Sequence, residues 1–103
     1  MIQLNTTFYV HVSVRSSFLD WVRTTYIPDA VGSGIFTSPQ LMLVEHSVEP
    51  DALTYAVQFT AVNVADARRW HDEGRGAALR QAIMKLHPQK VLFFSSFMDI
   101  LPL

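Results

Sequence analysis

The stretch Thr7-Phe8-Tyr9-Val10-His11-Val12-Ser13-Val14 decides the fold. Its side chains alternate with a period of two, the pattern of a strand with one face on a core. Phe8, Val10, Val12 and Val14 take the core face, and Thr7, Tyr9, His11 and Ser13 take the other. The strand is predicted over about residues 4–14. An antiparallel sheet with helices on one side normally leaves its far side polar. Two later segments break that expectation. Leu41-Met42-Leu43-Val44 and Val91-Leu92-Phe93-Phe94 are apolar on both faces. Something must therefore cover the far side, most simply a second copy of the chain.

Outward from this strand, Ser17 is placed to cap a first helix, with Asp20 near the positive end of its dipole. Phe18, Trp21, Val22 and Thr25 or Tyr26 form its buried stripe. Pro28 is expected to end or kink that helix, leaving Tyr26 and Ile27 at the bend. Gly32 and Gly34 break the chain before a strand over Phe36 to Ser47, which Pro39 assigns to a sheet edge. Glu49-Pro50-Asp51 is a turn, and Leu53 to Val62 a third strand. Asn63 caps a second helix over Val64 to Leu86, with a kink or two shorter helices at Gly74 and Gly76. Lys90 to Ile100 is the last strand. Strand-helix-strand-strand-helix-strand with right-handed crossovers gives an α+β, ferredoxin-like β-α-β-β-α-β fold. Its antiparallel four-stranded sheet has the first and third strands central and both helices on one face. The chain reads as one domain over residues 1–103.

Composition narrows the function classes. Half of the residues are hydrophobic and 17% charged, which excludes disorder. Eight basic against nine acidic residues leave no strong field for nucleic acid or an anionic membrane. The absence of cysteine removes disulfides, thiolate metal sites and a cysteine nucleophile. Met1-Ile2-Gln3-Leu4 carries no basic leader, and no apolar run is long enough to span a bilayer, so a cytoplasmic protein is expected. Aromatics on the open face of both central strands would favour RNA, but Ala56, Gln58 and Thr60 do not supply them. The four histidines, His11, His46, His71 and His87, lack the spacing of a helical metal pair. His71-Asp72-Glu73 reads as a solvated helix face, as do the arginines of the second helix. No metal and no cofactor is implied.

If Tyr55, Val57 and Phe59 join the core face, the open face has a polar middle of Thr7, Tyr9, His11, Ala56, Gln58 and Thr60. That middle is either a ligand cavity at the centre of a dimer or a hydrogen-bonded seam in a structural interface. Tyr9, His11 and Gln58 are expected to border one shared space, with Trp21 and Tyr26 as further pocket candidates.

Trp21-Val22-Arg23-Thr24-Thr25-Tyr26-Ile27-Pro28-Asp29-Ala30-Val31, running on to Gly34-Ile35-Phe36, resembles a small bacterial family called domain of unknown function 4286. Tyr55-Ala56-Val57-Gln58-Phe59 is similar to the same family's third strand. Where many such proteins carry a histidine, this chain has Tyr26. The resemblance implies membership of the dimeric α+β barrel superfamily, in which two ferredoxin-like subunits pack sheet against sheet. That superfamily includes cofactor-free monooxygenases, haem-binding enzymes, lactone isomerases and ligand-sensing domains. Asn5 and Trp70 match two places of its haem-degrading branch, but Arg80 and Gln81 stand where a histidine is needed, so that site is not transferred.

Three readings of function follow. The first is a homodimer binding a small molecule in the barrel cavity. The second is a cofactor-free monooxygenase- or isomerase-like enzyme, with His11 or Tyr26 moving protons. The third is a purely structural assembly module.

Overall fold

A computed structural model describes residues 1–45 and 49–103. The strands are β1 (Ile2–His11), β2 (Phe36–Leu43), β3 (Ala52–Ala61) and β4 (Val91–Asp99). They form one antiparallel sheet in the order β2-β3-β1-β4. The helical segments are α1 (Arg15–Trp21), α2 (Ile27–Gly32), α3 (Val64–Asp72) and α4 (Arg75–Leu86). This is the expected ferredoxin-like arrangement, with β1 and β3 central. The expected strand residues His46 and Ser47 lie outside the described residues.

The core lies between the sheet and the helices. Ile2, Leu4, Thr6, Phe8 and Val10 of β1 and Tyr55, Val57, Phe59 and Ala61 of β3 supply its sheet side. Phe8 is its centre, with ring centroids of Phe18, Trp21, Tyr26 and Phe93 at 5.1, 5.9, 5.9 and 6.1 Å. β1 ends at His11, three residues earlier than the alternation predicts. Val12–Val14 form a tight turn whose Ser13 amide is met by the His11 ring, Nδ1 accepting at 3.1 Å, while the Val12 amide donates to the Asp51 carbonyl. Val12 is consequently exposed and Val14 buried. Ser17 does not cap the first helix, which already begins at Arg15; its hydroxyl instead bonds His87 Nε2 at 2.8 Å.

Pro28 does not break the helix. Residues Val22–Tyr26 form a π turn that joins α1 directly to α2. In it the amide of Ile27 reaches back five residues to the Val22 carbonyl. The proline follows in the first turn of α2, where its missing N–H is best tolerated. The extra residue in the turn re-aims the stripe, so that both Val22 and Tyr26 point into the core. Tyr26 is therefore fully buried in mid-helix, not at a bend.

Asn63 caps α3 as expected, its Oδ1 accepting from Asp66 N at 3.0 Å. The second helix is split at Gly74 into α3 and α4. Gly76 is a place of close approach, since a Cβ there would meet the Trp70 ring at 2.6 Å. β2 occupies an edge, and its pairing with β3 slips between Thr37 and Gln40, beside Pro39, with Ser38 at a φ of 52°.

Candidate functional site

On the helix side of the sheet the apolar ranks are interrupted by hydroxyls. Thr6 is the third member of the core rank of β1, and Ser95 the third of Val91, Phe93, Ser95 and Phe97 on β4. The register sets Thr6 directly opposite Ser95, and their hydroxyls are 2.9 Å apart. His71 of α3 reaches the same point, with Nε2 2.7 Å from Ser95 Oγ and Nδ1 2.6 Å from Asp72 Oδ1. Only 7% of His71 is exposed.

Arg80 of α4 enters from the other side and is 4% exposed. Its Nη1 donates to the Tyr26 hydroxyl at 3.1 Å, and its Nη2 donates to the His71 carbonyl. Its guanidinium lies over the Phe93 ring, 4.8 Å from the centroid. The Arg80 Nε is buried and has no partner among the described residues. Trp21 stacks on Tyr26 with centroids 4.8 Å apart, completing an aromatic wall.

The ends of this chain of bonds fix the proton positions. Arginine only donates and a carboxylate only accepts. His71 Nδ1–H therefore donates to the Asp72 carboxylate, leaving the Nε2 lone pair to accept from the Ser95 hydroxyl. Ser95 in turn is free to accept from Thr6. Burial disfavours the charged imidazolium and holds His71 below the ordinary histidine pKa; the neighbouring Arg80 and Arg68 act the same way, and Asp72 opposes them. Burial likewise pushes the Tyr26 phenol up, against the pull of Arg80. Both groups are thus neutral at pH 7.

The five residues singled out in the sequence do not meet in one place. Trp21 and Tyr26 lie together on the helix side. Tyr9, His11 and Gln58 share the open face, but not one space. Gln58 pairs with Asn5, four positions from Tyr9 and six from His11, or about 13 and 20 Å along the strand. His11 sits at the exposed end of β1, bonded to Ser13. Neither of two surface depressions is lined by any of the five. One, of about 320 Å³, includes Ser33, Thr37, Thr60 and Asn63. The other, of about 470 Å³, is lined by Ala65, Arg68, Arg69, Asp72 and Glu73 and borders the buried cluster at Asp72.

The middle of the open face is an amide ladder. Gln3 Nε2 donates to Gln58 Oε1 at 2.8 Å, Gln58 Nε2 to Asn5 Oδ1 at 3.1 Å, and Asn5 Nδ2 to Thr7 Oγ1 at 3.2 Å. Exposed apolar side chains flank it, Leu92, Phe94 and Met98 on β4, Met42 on β2 and Tyr9 on β1.

His71 and Arg80 are not part of a solvated face, contrary to the sequence reading. Ala67, Trp70 and His71 fall at i, i+3 and i+4, and Gly76, Leu79, Arg80 and Ile83 at i, i+3, i+4 and i+7. That inward stripe was the available signal. Among the described residues no cluster of three or more His, Asp or Glu could hold a metal ion.

A family model described as "Domain of unknown function (DUF4286)" matches residues 1–101. No curated protein matches the chain. Among solved structures it is similar to an antibiotic biosynthesis monooxygenase, with a TM-score of 0.72 at 12% identity, covering 99% of this chain and 100% of that one. It is also similar to an ethyl tert-butyl ether D (EthD) family protein from Bacillus halodurans C-125, with a TM-score of 0.63 at 11% identity over 97% and 100% of the two chains. A dimeric ferredoxin-like protein from an uncultured marine organism aligns with a TM-score of 0.61 at 12% identity over 99% and 98%. At such identities the likeness is one of fold.

Proposed function

The chain belongs to the DUF4286 family, and from that premise we propose that it acts as a homodimer closed sheet against sheet, handling a small organic molecule at the buried cluster of each subunit. One observation carries the dimer. The Gln3, Gln58, Asn5 and Thr7 side chains are linked to one another by three hydrogen bonds, so covering this polar middle strands fewer groups than isolated amides would. The apolar flanks then gain by burial. A dimeric ferredoxin-like neighbour is in keeping with this arrangement. Convergence of Tyr26, Arg80, His71 and Ser95 behind the aromatic wall supports the helix side as the place of binding, in preference to the cavity between the sheets.

A second reading, cofactor-free oxygenation or isomerisation, draws on the Tyr26 phenol held by Arg80 and on the structural neighbour named as a monooxygenase. Native mass spectrometry of freshly purified protein tests both halves of the proposal. The expected result is a dimer mass with a retained small molecule. Monomer at micromolar concentration refutes the dimer, and a dimer that never carries added mass favours a purely structural module.

A further inference from the structure

We propose that Ser95, His71 and Asp72 form a serine nucleophile with its base and orienting carboxylate, acting on a small ester or comparable acyl compound. The inference rests on the small-molecule reading above for the location of the site, and adds to it a nucleophile and a substrate class. Its basis is geometric. Ser95 Oγ lies 2.7 Å from His71 Nε2, and His71 Nδ1 lies 2.6 Å from Asp72 Oδ1. These are the two contacts that nucleophilic catalysis by serine requires. The carboxylate sets the tautomer, so that the base lone pair faces the hydroxyl. Burial keeps the imidazole neutral, and hence able to take a proton, at pH 7.

β4 is an edge strand, and Ser95 is partly exposed, not sealed. A depression lined by Ala65, Arg68, Arg69, Asp72 and Glu73 adjoins the triad at its Asp72 end, and Arg68 lies over the Phe97 ring at 4.4 Å. The Thr6 hydroxyl faces Ser95 Oγ at 2.9 Å and holds it in place beside the His71 base. The Arg80 guanidinium lies over Phe93, two residues before Ser95 on the same rank, and adds positive charge to this side of the sheet.

The step closes without a redox partner. Ser95 Oγ bonds to the acyl carbon while its proton passes to His71 Nε2. The tetrahedral adduct then expels the alkoxide, which takes that proton and leaves as an alcohol. Water, deprotonated by the same nitrogen, releases the carboxylic acid and restores Ser95.

A fluorophosphonate probe with intact-protein and peptide mass spectrometry provides the test. One adduct per chain is expected, located at Ser95, absent in Ser95→Ala and formed at least about 100-fold more slowly in His71→Gln. No adduct on the folded protein, an adduct elsewhere, or an unchanged rate in His71→Gln overturns the proposal. Should His71→Gln fail to fold, the absence of cysteine from the chain offers a second measurement. In Ser95→Cys the single thiol is expected to react with iodoacetamide at pH 7 at least about tenfold faster in the native protein than in urea, because the adjacent base raises the thiolate fraction. Equal or slower native reaction overturns the proposal. Native mass spectrometry of the unmodified chain keeps the two readings apart, since a ligand-bearing dimer with Ser95 unlabelled leaves the first standing and removes the second.

Discussion

Phe94→Glu is expected to dissociate the proposed dimer while leaving the subunit folded. The β4 register puts Phe94 opposite Thr7 on the open face, where it is 50% exposed. A phenylalanine side chain offers about 200 Å² for burial, so about 100 Å² remains available on each subunit. A two-fold interface uses the same patch twice, giving about 200 Å² in all. At about 25 cal/mol per Å² this is about 5 kcal/mol, or a factor of roughly 10³–10⁴ in the dimer dissociation constant. The desolvation of two unpaired carboxylates adds to the loss. Sedimentation velocity across the micromolar range reads the change, with circular dichroism confirming the fold. Phe93→Glu is the control. Its ring packs on Phe8 and under Arg80, so that variant is expected to unfold. The reasoning is refuted if Phe94→Glu remains as tightly dimeric as the parent, or if Phe93→Glu is the variant that stays folded and dissociates.

Gly76→Ala should lower the urea midpoint, by about 1–2 kcal/mol of stability. A Cβ there would sit 2.6 and 2.7 Å from Trp70 ring carbons, and Trp70 is held by its Nε1 bond to Asp29 at 3.1 Å. Overpacking therefore outweighs the gain in helix propensity of about 1 kcal/mol, and a raised midpoint would sink the argument. Tyr26→Phe strips Arg80 Nη1 of its buried acceptor and is expected to cost about 1–3 kcal/mol in urea unfolding, an unchanged midpoint meaning that the bond contributes nothing. His71, held below its ordinary pKa chiefly by burial, contributes stability that is complete above about pH 6.5 and declines as pH falls toward its folded value, because the unfolded chain takes up the proton first. Urea midpoints between about pH 5 and 7 should thus fall less steeply in His71→Gln than in the parent; parallel curves would contradict this.

Where the sequence was legible, local chemistry was sufficient. The period-two ranks of β1 and β3, the Asn63 cap and the glycines between α3 and α4 each act within a few residues. Together with right-handed crossover they leave one topology. Pro28 shows the limit of that local logic. A proline in a helical pattern announces a break, yet the π turn before it carries the helix on into α2, with both Val22 and Tyr26 buried. Propensity alone cannot weigh that burial.

Two further matters were settled only by the third dimension. Both ranks of β4 are apolar, and the expectation that Phe93 or Phe97 faces a partner is overturned by the pairing with β1, which packs Phe93 and Phe97 on the core and turns Leu92, Phe94 and Met98 outward. The buried cluster joins Tyr26, Thr6, His71, Arg80 and Ser95 from five separate segments. His71 and Arg80 looked like surface charge in their own neighbourhood, and nothing local singles out Ser95 or Thr6. The sequence by itself determined the elements, their order and the two faces of the central strands, because periodicity is a property of neighbouring residues. Only tertiary structure decided which polar groups share the core, because hydrogen bonding between residues as far apart as Thr6 and Ser95 depends on strand register and helix docking, and neither is written in any single segment.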